Sequence, residues 1–164
     1  MKRREFLKTS ALGTMAMSLP LSRWQLFAQE TSLPHAAFVK NGDPESLVMN
    51  AIQALGGMER FIQKGDKVLL KPNIGWDRSP ELAANTNPEV VATLTTLCFA
   101  AGASEVKVLD RTCNEPQRCY RNSGIADAAA AKDAEIVQVR KNRYVEMPLN
   151  GKVLKSWPIY KDYL

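Results

Sequence analysis

Residues 65–73, Gly-Asp-Lys-Val-Leu-Leu-Lys-Pro-Asn, hold a short apolar run between a turn and a proline. The run at 68–70 has the composition of a buried β-strand, and Pro72 ends it because proline cannot donate to a strand ladder. Three comparable runs occur at residues 36–39, 106–109 and 136–139. We therefore predict four buried strands.

Helix start signals separate these strands. Asp43-Pro44 and Asn87-Pro88 each combine a capping side chain with a proline at the first helical position, and a glutamate follows each pair. This pattern is typical of a helix N-terminus. A third, alanine-rich helix is predicted at residues 125–132. The alternation of strand and helix predicts an α/β domain with three layers, in which a mostly parallel sheet carries helices on both faces.

Two further apolar segments, at residues 144–149 and 153–160, flank Asn150-Gly151. An Asn-Gly pair between two strands is typical of a type I′ turn. We therefore predict a C-terminal β-hairpin after the parallel sheet.

The chain begins with an export signal. Arg3 and Arg4, followed by Phe6 and Leu7, are typical of leaders that the twin-arginine translocase binds. A short apolar stretch follows, and cleavage is expected after Ala28. We expect a signal peptide at 1–28, a linker at 29–35 and one α/β domain at 36–164. The protein is then periplasmic, and it stays tethered to the membrane if the leader is not removed.

The charge of the chain lies mostly in the leader. The formal net charge is +5, and residues 1–28 contribute five cations and one acid, so the remaining chain is close to neutral. Nucleic-acid binding needs a dense cationic surface, and we expect none. The basic residues Arg140, Lys141 and Arg143 are interpreted as a solvated loop face.

The cysteines do not have the spacing of a metal site. Cys98 falls on the apolar face of a predicted helix and is expected to be a buried thiol. Cys113 and Cys119 flank a polar loop, and in the periplasm they could form a small-loop disulfide or stay free. No metal ligands are expected within this chain.

A ligand crevice in a parallel sheet lies beyond the carboxyl ends of the strands. The polar side chains that follow the predicted strands are Asn41, Lys71, Asn73, Asp110, Arg111 and Thr112. Lys71 beside Pro72 is suited to bind an anion, although a lysine at a strand end can also simply extend into solvent. Asp110 and Arg111 suit either an anion clamp or a structural ion pair. These six residues are the candidate ligand site.

The segments 56–61 (Gly-Gly-Met-Glu-Arg-Phe), 65–73, 120–125 (Tyr-Arg-Asn-Ser-Gly-Ile) and 134–137 (Ala-Glu-Ile-Val) resemble the family called domain of unknown function 362. The resemblance covers the chain from about residue 36 onward. Members are often described as iron–sulfur centre proteins, and some carry twin-arginine leaders, which implies a redox-associated role. The cysteine pattern of their cluster module is absent from this chain. Members usually continue further, so the resemblance implies that 36–164 is incomplete at its C-terminus.

Two functional hypotheses follow. The first is an exported protein that binds a small anionic ligand or an unidentified cofactor at the strand ends. The second is a non-catalytic assembly domain whose hairpin, residues 144–160, docks on the missing C-terminal half or on a partner chain. No residue specifies a reaction, so the sequence leaves open whether the protein is an enzyme.

Overall fold

The structure is a computed structural model that describes residues 33–164. Within them the chain forms one compact unit, Pro34–Leu164. The predicted signal peptide and residues 29–32 of the predicted linker lie outside the described residues. Residues 33–35 carry no helix or strand.

A three-stranded parallel sheet forms the centre of this unit. Its strands are β1 (Lys67–Leu70), β2 (Glu105–Val108) and β3 (Glu135–Ile136), in the order β1-β2-β3. Val68 lies opposite Val106, and Val108 lies opposite Ile136. The α/β class and the parallel sheet are therefore confirmed, and β3 is shorter than the predicted strand at 136–139.

The long helices begin where the capping signals predict. Helix α1 (Pro44–Ala54) starts after Asp43, whose carboxylate accepts from the Ser46 N–H. Helix α2 (Pro88–Ala100) starts after Asn87, whose side chain accepts from the Glu89 N–H. The third predicted helix is α4 (Ile125–Ala130), which ends two residues early.

The sequence analysis missed helix α3 (Pro116–Asn122), which occupies the predicted polar loop between Cys113 and Cys119. Its start signal has the same form as the other two, because Glu115 accepts from the N–H groups of Gln117 and Arg118 and Pro116 is the first helical residue. Glutamate is not among the residues preferred at this position, so the start of α3 carries a weaker sequence signal than the Asp43 and Asn87 caps.

The two faces of the sheet differ. Alternate strand residues, Val68, Leu70, Val106, Val108 and Ile136, join side chains of all four helices in one hydrophobic core. The opposite face carries a ladder of ion pairs, in which Glu105 binds Lys67 and Lys107, and Lys107 also binds Glu135. Helices were predicted on both faces. In the part of the chain that the structure describes, they pack on the apolar face.

The prediction of a strand at residues 36–39 is wrong. This segment pairs with no other strand among residues 33–164, and Phe38 is 89% exposed. An apolar run becomes a strand only when a neighbouring edge accepts its backbone hydrogen bonds, and the run alone does not show whether one does.

The C-terminal hairpin is confirmed with a different turn. Strands β4 (Tyr144–Pro148) and β5 (Ser156–Tyr160) pair antiparallel, so residues 149–155 form the connection. Neither Asn150 nor Gly151 has the positive φ that a type I′ turn requires, and that turn assignment is wrong. The observed register places Tyr144 opposite Tyr160, with ring centroids 5.4 Å apart, and such cross-strand aromatic contacts stabilise a register.

Candidate functional site

A cavity of about 410 Å³ opens beyond the carboxyl ends of β2 and β3. We call it the strand-end cavity. Its lining residues come from the segment after β2, the start of α3, the segment after β3 and the hairpin. They are Asp110, Arg111, Thr112, Pro116, Val139, Lys141, Tyr144 and Pro158. Its volume falls in the range of small-molecule sites, and its position is the one that parallel sheets favour for ligands.

Asp110 is the buried carboxylate at this end of the sheet, with 5% of its surface exposed. One oxygen, Oδ1, lies 2.6 Å from Lys71 Nζ, and the other, Oδ2, accepts from the Ile74 N–H at 2.8 Å. Lys71 follows β1 and Asp110 follows β2, so the ion pair joins the ends of two neighbouring strands. Asp110 is therefore charge-balanced and holds the backbone of the loop after β1.

The Tyr120 side chain, from α3, holds the backbone of Asp110 in place through hydrogen bonds. Its hydroxyl accepts from the Asp110 N–H at 2.8 Å, and the carbonyl oxygens of Asp110 and Val137 lie 3.0 and 2.9 Å away. The pKa of Tyr120 is raised to about 12, mainly by burial, and the charge of nearby Asp110 acts in the same direction. The hydroxyl is therefore a neutral structural link between the ends of β2 and β3.

Arg111 and Lys141 give the strand-end cavity its charge. Both line the cavity, and neither forms an ion pair with any residue in 33–164. Because Lys71 already balances Asp110, the cavity has an excess of positive charge. Arg140, Lys141 and Arg143 are all exposed, which agrees with the interpretation as a solvated loop face. Lys141 in addition lines the cavity, and Arg143 binds Asp162.

The remaining predicted residues have different positions. Thr112 lines the cavity, and its hydroxyl donates to the Asn114 carbonyl at 2.8 Å. Asn73 does not line it. The Asn73 side chain accepts from the Gly75 N–H and donates to the Ala84 carbonyl, so it shapes the loop between β1 and α2. The structure brings Lys71, Asp110, Arg111 and Thr112 together, and their role in binding stays a prediction.

Asn41 lies apart from this group. It precedes α1 with a left-handed backbone, φ 65°, and it is exposed and absent from the cavity lining. Asparagine tolerates this conformation better than most residues, which explains its presence in a turn. Asn41 therefore has a structural explanation that needs no ligand.

Sequence reasoning missed the tyrosines. The chain has four, at 120, 144, 160 and 163. Tyr160 packs edge-on against Tyr144 and Tyr163, and Tyr144 lines the cavity. Burial, followed by the Asp110 charge, raises the pKa of Tyr163, so Tyr163 lies close enough to Asp110 to be affected by its charge. Their spacing follows no helix or strand period, so only the tertiary fold reveals the cluster.

The cysteines are all free thiols in the structure. Cys113 is exposed and Cys119 is buried, and the Cys119 thiol points at the Gly75 carbonyl at 3.7 Å. Burial raises the pKa of Cys119, which lowers its thiolate fraction and its reactivity. A disulfide between Cys113 and Cys119 stays a prediction.

The thiols of this chain do not fit an iron–sulfur cluster. Such clusters usually take four thiolate ligands, and the chain has three cysteines, of which Cys98 lies buried in the helical core. Within residues 33–164, no group of three or more His, Cys, Asp or Glu side chains is placed to hold a metal ion.

Among these same residues, no helix has both the length and the apolar composition needed to cross a bilayer.

A protein-family model, described as a domain of unknown function (DUF362), matches residues 68–164. The chain belongs to this family. The match begins at the second residue of β1 and extends past β5, and it includes every residue that lines the strand-end cavity. The resemblance found in the sequence is confirmed for residues 68–164, whereas residues 36–67, including the segment 56–61, lie outside the match.

One curated relative is the thylakoid-associated protein sll1697 of Synechocystis sp.. It is 34% identical to this DUF362 chain over 93 residues. The aligned segment covers 57% of the chain and 29% of the relative, so the chain matches less than a third of that protein's length. None of the solved structures matches the chain.

Proposed function

We propose that this DUF362 domain binds a small anionic ligand in the strand-end cavity. The observation that carries the proposal is the pairing of charges there. Arg111 and Lys141 line the cavity without an ion-pair partner in 33–164, whereas the cavity carboxylate, Asp110, is bound by Lys71. An anion would supply the missing counter-charge, and a guanidinium favours carboxylate or phosphate groups through paired hydrogen bonds.

The rest of the lining favours a ligand with an apolar body. Pro116, Val139, Tyr144 and Pro158 contribute mainly carbon surface to the cavity. A ring or a short chain could pack on this surface while its charged group lies near Arg111 and Lys141. The proposed ligand class is therefore an aryl or alkyl phosphate or carboxylate.

The double variant Arg111→Ala/Lys141→Ala tests this proposal. Thermal unfolding of the full chain would be followed with phenyl phosphate and with inorganic phosphate as probes. We expect phenyl phosphate at roughly ten times its Kd to raise the wild-type Tm by a few degrees. Inorganic phosphate should raise it less. The double variant should lose at least roughly 100-fold in affinity, since each of the two lost charge-assisted contacts costs about 1.5–3 kcal/mol.

The matched control is Arg121→Ala/Lys132→Ala, which removes the same two charges from exposed positions outside the cavity. It should keep the full Tm shift. If both double variants lost the Tm shift equally, the shift would depend on the overall charge of the protein and not on the cavity, which would contradict the proposal. An unchanged shift in Arg111→Ala/Lys141→Ala, or no shift with either probe in the wild type, would contradict it as well.

We also propose that the twin-arginine translocase exports the protein to the periplasm, on the strength of Arg3, Arg4, Phe6 and Leu7. Arg3→Lys/Arg4→Lys keeps the charge and removes the paired arginines. We expect this variant to accumulate in the cytoplasmic fraction, and Lys2→Arg to be exported normally. Export of the twin-lysine variant at the wild-type level would count against this route.

An iron–sulfur or other redox role draws no support from the three thiols of this chain. Docking of a C-terminal half or of a partner chain through the hairpin stays a prediction. Because the chain matches 29% of the relative's length, the activity of any longer protein is a separate question from ligand binding at this cavity.

A further inference from the structure

The end of the hairpin is an exposed surface that mixes apolar and cationic residues. We call residues 149–157 the hairpin tip. Seven consecutive residues, 152–158, are exposed. Val153 is 93% exposed, Leu154 is 48% exposed and Trp157 is 54% exposed. Monomeric proteins seldom present so many large apolar side chains on one short segment without a binding role.

The conformation of the connection holds these side chains outward. The Leu149 N–H donates to the Lys155 carbonyl at 2.7 Å, and the Lys155 ammonium donates to the Gly151 carbonyl at 3.1 Å. A Cβ at Gly151 would lie 2.5 Å from the Leu154 carbonyl oxygen, so only glycine permits this close approach. The tip is therefore a closed loop, and its apolar residues project from it.

The charge of this segment has one sign. Residues 147–161 contain Lys152, Lys155 and Lys161 and no acidic residue. The acid nearest the tip in the hairpin is Glu146, which accepts a hydrogen bond from the Ser156 hydroxyl. By contrast, the polar face of the parallel sheet balances its lysines with Glu105 and Glu135. The tip thus combines positive charge with projecting apolar side chains.

We infer that the hairpin tip binds the surface of an anionic lipid bilayer. Val153 and Leu154 would enter the boundary between headgroups and acyl chains, Trp157 would lie at the same interface, and Lys152 and Lys155 would contact lipid phosphates. A projecting tip of this composition suits a deformable lipid surface, whereas a protein partner would need a matching concave pocket. This inference is independent of ligand binding at the strand-end cavity.

Vesicle co-sedimentation of the full chain tests the inference. Vesicles of phosphatidylglycerol and phosphatidylcholine would be compared with vesicles of phosphatidylcholine alone. Lys152→Gln/Lys155→Gln should weaken binding to the anionic vesicles by about 30-fold, because each lysine near such a surface contributes roughly fivefold. Val153→Asn/Leu154→Asn should weaken it by roughly tenfold or more. Phe38→Asn, at an equally exposed apolar residue outside the hairpin, is the matched control and should bind like the wild type.

A local readout separates the tip from any contribution of residues 1–32, which are the same in these variants. With Trp24→Phe/Trp76→Phe, Trp157 is the sole tryptophan, and its fluorescence should shift to the blue and be quenched by brominated lipids. With Trp24→Phe/Trp157→Phe, Trp76 reports and should stay unquenched. Unquenched Trp157, or vesicle binding that the tip variants do not change, would overturn the inference. Lipid-free dimers that Val153→Asn/Leu154→Asn dissociates would also overturn it and identify the tip as a protein interface.

Discussion

Replacing Asp110 with alanine is expected to lower the free energy of unfolding by about 3 kcal/mol. Ile74 is fully buried, and its N–H has the Asp110 carboxylate as its acceptor. Alanine would leave this donor without a partner away from water, and it would also remove the counter-charge of Lys71. Urea denaturation, with the m-value unchanged, measures the loss.

Glu105→Ala is the control for Asp110→Ala. Glu105 joins Lys67 and Lys107 on the polar face of the sheet, and all three side chains remain accessible to solvent. Its loss should cost clearly less stability than the loss of Asp110, because ion pairs near the surface contribute little. If the two variants were destabilised equally, Asp110 would be an ordinary surface carboxylate, and the link between the ends of β1 and β2 would lose its energetic basis.

Tyr120→Phe is expected to destabilise the fold at neutral pH by about 2 kcal/mol, because one hydroxyl contacts three backbone groups at the ends of β2 and β3. The pKa of Tyr120 is about 12 in the folded protein against 10 for a free tyrosine. The unfolded chain therefore loses this proton first as the pH rises. The contribution of Tyr120 is complete below pH 10 and is lost as the pH approaches 12.

The pH dependence distinguishes this role from simple packing. Between pH 10 and 12 the wild type should lose on the order of 2 kcal/mol that Tyr120→Phe does not lose, measured by urea denaturation at each pH. Tyr144→Phe removes a hydroxyl outside this hydrogen-bond set and should follow the wild-type curve. Parallel curves for the wild type and Tyr120→Phe would show that the hydroxyl is not a buried link.

Features of the fold that depend on local chemistry could be predicted from the sequence. The caps at Asp43 and Asn87 define helix starts because a side chain bonds to its own following turn. The strand at residues 36–39 and the hairpin turn were predicted wrongly, since both depend on which backbone lies alongside. The apolar pairing of Tyr144 with Tyr160 overrides the turn preference of Asn150-Gly151.

The candidate site divides in the same way. Lys71, Asp110, Arg111 and Thr112 could be predicted to lie at one edge because parallel strands end together. Lys141 and Tyr144 could not, because they come from the segment that leaves the sheet and from the hairpin beyond it. Tyr120 lies ten residues after Asp110 on a helix that the sequence analysis missed. Contacts between elements that no strand rule connects need the three-dimensional fold.

The short strand β3 leaves space for the strand-end cavity in this small sheet. The Val137 N–H still donates to the Val108 carbonyl of β2, and the chain then leaves the ladder. The Val137 carbonyl accepts from the Tyr120 hydroxyl instead, and Val139 lines the cavity. Two more rungs of pairing with the segment after β2 would fill the space with backbone. The strand-end cavity thus exists because strand pairing stops early. Mutations that favour longer pairing there would stabilise the sheet and remove the volume available to a ligand.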